Sequence, residues 1–255
     1  MTEALNIQSP LKLNGDCLVD LKPESDTYES IVVFVHGQPG SKDSWCAVIS
    51  RLLGSNQRLV AYDRPGWGVN NQDATSIDGN AQYLASILET FPKDKSVVLV
   101  GHSLGAAISI VTATMASDRV RKVVAIAPAF NGDAVVRLDS MIALPYIGVG
   151  LSKLTLEVYK RKMGFSHWGG SSTRSFHLEQ SWLLKELHGL DNAITRFDGE
   201  LSVLYARDDV VVPMRSIVTT LRSSPSSRVD VLKNGGHDLI RTRASSVAYF
   251  LATLL

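Results

Sequence analysis

Six short runs of β-branched and aliphatic residues restrict this chain's fold more than any other feature. They are Ile31–Val35, Arg58–Tyr62, Ser96–Val100, Lys122–Ala127, Leu201–Tyr205 and Arg228–Leu232. The runs are largely continuous rather than alternating with polar residues. A strand with one wet face must alternate, whereas a strand covered on both faces need not. Between the runs lie segments with helical spacing, Ser44–Leu53, Ile77–Phe91 and Leu104–Ala116. Strands alternating with helices in this way predict an α/β fold, a doubly wound, mostly parallel sheet flanked by helices. Residues 5–22 are expected to add an antiparallel hairpin at the sheet edge.

One interval breaks the rhythm. Between the fourth and fifth runs lie roughly seventy residues, too many for a plain loop in a compact domain. Asp133–Ala143, Leu151–Met163 and Ser175–Leu187 read as helices, punctuated by Gly164 and Gly169-Gly170. Met141, Ile142, Leu144, Tyr146, Ile147, Phe165, Trp168, Phe176 and Trp182 give the segment too much apolar surface for a solvated excursion. The expectation is a core domain of residues 1–129 and 198–255, with a helical cap, residues 130–197, inserted after the fourth buried strand.

Composition narrows the partners. A net charge of +1 without long like-charge runs gives no footprint for nucleic acid or for an acidic membrane surface. Cys17 and Cys46 make no disulfide framework, and neither has a Cys or His at metal-ligand spacing, so no metal is expected. Met1–Asn6 lack the basic and apolar regions of a secretory signal, and no run is long enough to span a bilayer. The default reading is a soluble cytoplasmic protein acting on a small molecule without a cofactor.

The chemistry is concentrated in a few loops. Gly101-His102-Ser103-Leu104-Gly105 follows the third buried run and leads directly into a helical segment. A serine flanked by glycines at a strand-to-helix switch forms a nucleophile elbow, because only residues without side chains let strand and helix approach that closely. A serine hydroxyl needs a base to become a nucleophile. His237, after two glycines in the loop beyond the last strand, is the best placed histidine. His36 and His102 read as loop-holding residues, while His167, His177 and His188 lie in the cap, where one could touch substrate. Two adjacent acids, Asp208 and Asp209, are candidates to orient the imidazole. An extended segment cannot point both at one histidine.

The order of these motifs resembles the α/β-hydrolase fold superfamily, in its serine-nucleophile, esterase-like branch, over essentially the whole chain. His36-Gly37-Gln38-Pro39-Gly40 is similar to the family's oxyanion loop and Asp63-Arg64-Pro65-Gly66-Trp67-Gly68 to its DxxGxG loop. Arg207–Pro213 and Gly235-Gly236-His237 match its acid and histidine loops in the order Ser, Asp, His. The resemblance implies a triad of Ser103, Asp209 and His237, since the family spacing from acid to proline selects Asp209. A variant position for the acid, Ala127-Pro128-Ala129, carries no carboxylate. It also implies oxyanion donors at the backbone N–H groups of Gln38 and Leu104. The Gln38 amide either reaches a substrate carbonyl or points to solvent. Trp67, Phe130, Phe165 and Trp168 either line an acyl or alcohol pocket or pack the core. The implied activity is hydrolysis of a carboxylic ester, lactone or thioester. Haloalkane dehalogenases and epoxide hydrolases share two of the loops, but they carry aspartate at the elbow. A cofactor-free perhydrolase or a non-catalytic receptor on the same fold are the competing expectations.

Overall fold

All six runs enter one sheet. The expectation that each is covered on both faces fails for Arg228–Leu232, which lies at the sheet edge, beside a single neighbouring strand, and has no buried residue. A computed structural model describes residues 17–23, 27–132, 142, 144, 147–163, 172–187, 189–224 and 227–255. The strands are β1 (Leu18–Leu21), β2 (Ser30–Val35), β3 (Gln57–Tyr62), β4 (Ser96–His102), β5 (Val120–Ile126), β6 (Glu200–Ala206) and β7 (Arg228–Leu232). Their order is β1-β3-β2-β4-β5-β6-β7. Every neighbouring pair is parallel except β1, which runs antiparallel to β3 with Val19 opposite Ala61. β1 places an antiparallel strand at the sheet edge within the segment expected to form a hairpin, and residues 5–16 of that segment lie outside the described residues.

The helices are α1 (Cys46–Leu52), α2 (Ile77–Leu88), α3 (Leu104–Met115), α4 (Ile147–Met163), α5 (Ser172–Leu187), α6 (Leu190–Arg196), α7 (Met214–Ser223), α8 (Leu239–Thr242) and α9 (Ala244–Ala252). Successive strand residues serve opposite faces. Ile31, Val33 and Val35 pack with α2, α3 and α6, while Val32 and Phe34 pack with α1, α8 and α9. Complete burial of each such Val, Ile or Phe stabilises the fold by roughly 1.5–3 kcal/mol. This two-sided burial is why the strands read as continuous apolar runs.

Local chemistry sets the ends. Ser76 caps α2 by accepting the Gly79 N–H at 3.1 Å. The helix stops at Leu88, short of the expected Phe91, because Phe91 N–H turns back to the Leu88 carbonyl. β5 stops at Ile126 because Ala127 adopts φ +45. α1 is entered through a single 3-10 turn, Lys42–Trp45.

Two inserted helices, α4 and α5, pack on each other. They start a little earlier than their periodicity predicts, at Ile147 and Ser172. The helix expected over 133–143 lies outside the described residues, apart from the buried Ile142. α6 was not expected at all. It is a short helix that buries only Leu190 and Ile194. Trp67, from the loop after β3, packs with Ile142, Leu156 and Phe176, joining the sheet domain to the inserted helices. Among the described residues no helix is long and apolar enough to cross a membrane.

The strand order reverses between β2 and β4, each of which continues to its own side of the sheet. In an open α/β sheet this is where a crevice opens beyond the carboxyl ends of the strands. The loops carrying Gln38 and Ser103 leave these two strands side by side.

Candidate active site

The elbow forms because three glycines leave no room for anything else. A Cβ on Gly101 would lie 2.4 Å from the Gly105 carbonyl oxygen, and one on Gly105 would lie 2.2 Å from that of Val35. A Cβ on Gly37 would sit 3.0 Å from Ser103 Cβ, so the loop after β2 rests directly against the elbow. Ser103 itself takes φ +53, ψ −120, a conformation costing a non-glycine residue about 1–3 kcal/mol. The surroundings enforce it, since Ser103 N–H donates to the Ile126 carbonyl at 3.0 Å and its own carbonyl accepts Ala106 N–H at 3.0 Å.

His237 meets this serine from the opposite end of the chain. Its Nε2 lies 2.9 Å from Ser103 Oγ and its Nδ1 lies 2.8 Å from Asp209 Oδ2. A carboxylate only accepts, so Nδ1 carries the proton and Nε2 is free to accept from the serine hydroxyl. Asp209 is buried, and its second oxygen accepts the N–H groups of Val211 at 2.8 Å and Val212 at 3.0 Å. Those two donors fix which oxygen faces the imidazole.

The neighbouring acid has a different task. Asp208 is exposed and turns away, accepting the N–H of Gly236 at 2.9 Å and of Gly235 at 3.2 Å. These backbone bonds hold its carboxyl below the ordinary range. One aspartate therefore bonds the imidazole and the other the glycines that precede it. Sequence spacing separated the two acids without revealing this second contact.

His102 is a third support. Its Nε2–H donates to the His237 carbonyl at 3.0 Å, and the two rings lie 5.2 Å apart. Burial, followed by the nearby His237, lowers its pKa to about 4, so it stays neutral. His36 is also held neutral, well below its ordinary value, by burial and by the Arg64 charge. The Arg64 N–H donates to His36 Nε2 at 3.1 Å, which leaves Nδ1–H to donate to the Gly37 carbonyl at 2.8 Å.

The two expected oxyanion donors flank the serine. Leu104 is the first residue of α3, where N–H groups have no acceptor within the helix. Gln38 follows Gly37 on the adjoining loop. The residue is half-buried. Nε2 donates to the Phe176 carbonyl at 3.2 Å, and Oε1 accepts from Gln180 Nε2 at 3.1 Å, so the amide is tied to α5.

Arg64 enters the sequence reading only as part of the DxxGxG loop, with no role of its own, and is fully buried beneath the loop after β2. Its Nε donates to the His36 carbonyl at 3.1 Å and its Nη2 to the Gly37 carbonyl at 3.1 Å. Nη1 pairs with Glu179 Oε1 on α5, and Nη2 reaches Glu179 Oε2 at 3.3 Å. Asp63 beside it is structural, accepting Lys42 N–H at 2.7 Å, Val69 N–H at 3.0 Å and the buried Lys42 Nζ at 3.2 Å.

Among the expected pocket residues, Trp67 is fully buried in the cluster with Phe176, and Phe130 is fully buried in the large core cluster near Leu104. Phe165 and Trp168 lie outside the described residues, as do His167 and His188. His177 Nδ1 lies 3.0 Å from the Ile142 carbonyl, within the inserted segment. Burial pushes the Cys46 thiol up to about 11, leaving it unreactive.

Residues 32–248 match the family model described as alpha/beta hydrolase family. The chain belongs to this family. Within the alpha/beta hydrolases it is 33% identical to a putative non-heme chloroperoxidase of Synechocystis, over 88% of this chain and 90% of that one. It is 32% identical to epoxide hydrolase B of Mycobacterium tuberculosis, but over only 44% of this chain and 33% of that enzyme. A lipase-esterase related protein from Clostridium acetobutylicum superposes with a TM-score of 0.76 and 16% identity, covering 94% of this chain and all of the other. That likeness concerns the fold. The chain is a hydrolase-type member with a seven-stranded, mostly parallel sheet.

Proposed function

We propose that this protein hydrolyses a carboxylic ester, or a related lactone or thioester, of a small and partly hydrophobic substrate through an acyl-enzyme. The observation that carries the reading is the unbroken hydrogen-bond chain Ser103–His237–Asp209 at the topological switch point. Ser103 Oγ attacks the acyl carbon while its proton passes to His237 Nε2. Negative charge moves to the former carbonyl oxygen, where the N–H groups of Leu104 and Gln38 receive it. The tetrahedral adduct collapses, and the leaving alkoxide takes the proton from His237. Water then gives a proton to His237, attacks the acyl carbon and restores the serine hydroxyl. Residues 130–197 act in this reading as a cap over the crevice.

The serine also separates this chain from epoxide opening. Serine attack on an epoxide gives an ether that a histidine-activated water does not cleave. A carboxylate nucleophile would give an ester, which it does. A fluorophosphonate probe tests the proposal. It is expected to label wild-type protein at Ser103 and to leave Ser103→Ala unlabelled and inactive on p-nitrophenyl esters. Absence of labelling in the folded protein overturns the reading and favours a ligand-binding role.

The likeness to the chloroperoxidase relative favours a second reading of the same acyl-enzyme, in which hydrogen peroxide replaces water and the acyl group leaves as a peracid. Peracid and acid yields from one ester, with and without peroxide, separate the two.

A further inference from the structure

Arg64 and Glu179 are buried, and their hydrogen bonds join them to each other, to Asn80 and to the His36 and Gly37 carbonyls. The proposed reaction therefore leaves them without a proton or a charge to transfer. Their geometry gives them a different task. The carbonyl of Gly37 and the N–H of Gln38 belong to the same peptide group, which is planar and trans, so the two point in opposite directions. Fixing the carbonyl therefore fixes the direction of the N–H.

That carbonyl is held twice, by His36 Nδ1–H at 2.8 Å and by Arg64 Nη2 at 3.1 Å. Arg64 Nε also holds the carbonyl of the preceding residue, His36, at 3.1 Å. Two consecutive carbonyls are thus clamped by one rigid guanidinium fork, a geometry that lysine's single ammonium does not reproduce. Hydrogen bonds to a carbonyl also polarise the rest of its peptide, making its N–H a better donor.

The fork is itself held from the inserted helix. Both Glu179 oxygens face Arg64, and Asn80 Oδ1 accepts from Nη1 at 3.3 Å. One residue further along α5, Gln180 grips the Gln38 amide at 3.1 Å. α5 is anchored independently of these contacts. Ser175 Oγ donates to the Gly66 carbonyl at 2.7 Å, and Glu186 accepts the Ile77 N–H at the start of α2 at 2.8 Å.

We propose that Arg64, locked by Glu179 on α5, is a positioning residue that aims the Gly37–Gln38 peptide as an oxyanion donor, with Gln180 steadying Gln38 from the same helix. The inserted helix then governs the rate of acyl transfer as well as access to the crevice. This inference rests on the acyl-transfer reading above and adds residues to it.

The test separates the two. Replacing one partner alone strands a buried charge, so the pair is exchanged together as Arg64→Met with Glu179→Met, an apolar replacement that leaves no uncompensated ion. Arg64→Lys, which keeps the charge opposite Glu179 but loses the fork, is the second variant. Circular dichroism and thermal melts establish that each is folded. On p-nitrophenyl acetate the double variant is expected to lose about 100-fold in kcat, the scale of one oxyanion donor, with KM changing less than about threefold. Arg64→Lys is expected to lose about tenfold. A boronic acid that forms a tetrahedral serine adduct is expected to lose affinity by the same factor as kcat/KM. A folded variant of either kind with kcat within twofold of wild type overturns the inference. So does a kcat loss that leaves boronate affinity unchanged. Wild-type protein that the fluorophosphonate does not label overturns the acyl-transfer reading itself.

Discussion

Replacing Asp209 by asparagine isolates the role of one oxygen atom. Asp209 Oδ1 accepts two backbone N–H groups, from Val211 at 2.8 Å and Val212 at 3.0 Å. An asparagine at this position must present its carbonyl oxygen to those donors, because its NH2 group would clash with both. The NH2 therefore replaces Oδ2 beside His237 Nδ1, where the carboxylate now accepts at 2.8 Å. An NH2 group donates, so the imidazole is driven to the tautomer with its proton on Nε2. That nitrogen then has no lone pair for the Ser103 hydroxyl, 2.9 Å away. A wrong-tautomer histidine costs about 10⁴ in kcat in a serine triad, or about 5 kcal/mol of barrier. Folding stability is expected to change little, since the two bonds to Val211 and Val212 survive. Steady-state hydrolysis of p-nitrophenyl acetate reads the first quantity and a thermal melt the second. Asp208→Asn supplies the control. One of its two bonds to the glycines at 235 and 236 persists, and a loss of only a few-fold is expected. The reasoning is refuted if Asp209→Asn keeps more than about a tenth of wild-type kcat, or if Asp208→Asn is equally damaging.

Two further expectations follow from packing and burial. Gly105→Ala pushes a Cβ to within 2.2 Å of the Val35 carbonyl oxygen, a backbone atom that cannot swing aside. A loss of about 3 kcal/mol or more in denaturant-derived stability is expected, and a shift below about 0.5 kcal/mol would falsify the steric account. His102 has a folded pKa of about 4 against 6.5 in its ordinary state, so the unfolded chain takes up the proton first as pH falls. Its contribution is complete above about pH 6.5 and declines toward pH 4 by about 3 kcal/mol. Stability measured across this window should fall less steeply in His102→Gln than in wild type, and parallel slopes would remove His102 from the account.

Local patterns carried much of this architecture in the sequence. Ile31–Val35 and Ser96–Val100 read as doubly covered strands because neighbouring apolar residues must serve two faces at once. The elbow was legible because Gly101 and Gly105 are demanded by contacts within a few residues or with one adjacent strand. The chain's Ser103, Asp209 and His237 were named from motif order, and the structure brings them within hydrogen-bonding distance. What stayed hidden depends on partners remote in sequence. Glu179 looks like any helical glutamate until its partner 115 residues away is known. Gln38 offered an amide with no visible acceptor, because its partners on α5 are set by how that helix docks. α6 is too short for a periodicity of its own and exists through the burial of Leu190 and Ile194.

The separation of the three loops also bears on how the molecule acquires activity. Ser103 and His237 are 134 residues apart, and the strands that deliver them, β4 and β7, meet only through β5 and β6. Parallel pairing of this kind closes long loops before any contact rewards the closure, which makes it slow. Helices such as α2 and α3 form from neighbouring residues and come early. During refolding, turnover should therefore return later than the helical signal, because the imidazole reaches the serine only after the last strand has joined the sheet. Under the proposed acyl-transfer reading, the return of turnover is a clock for completion of the sheet.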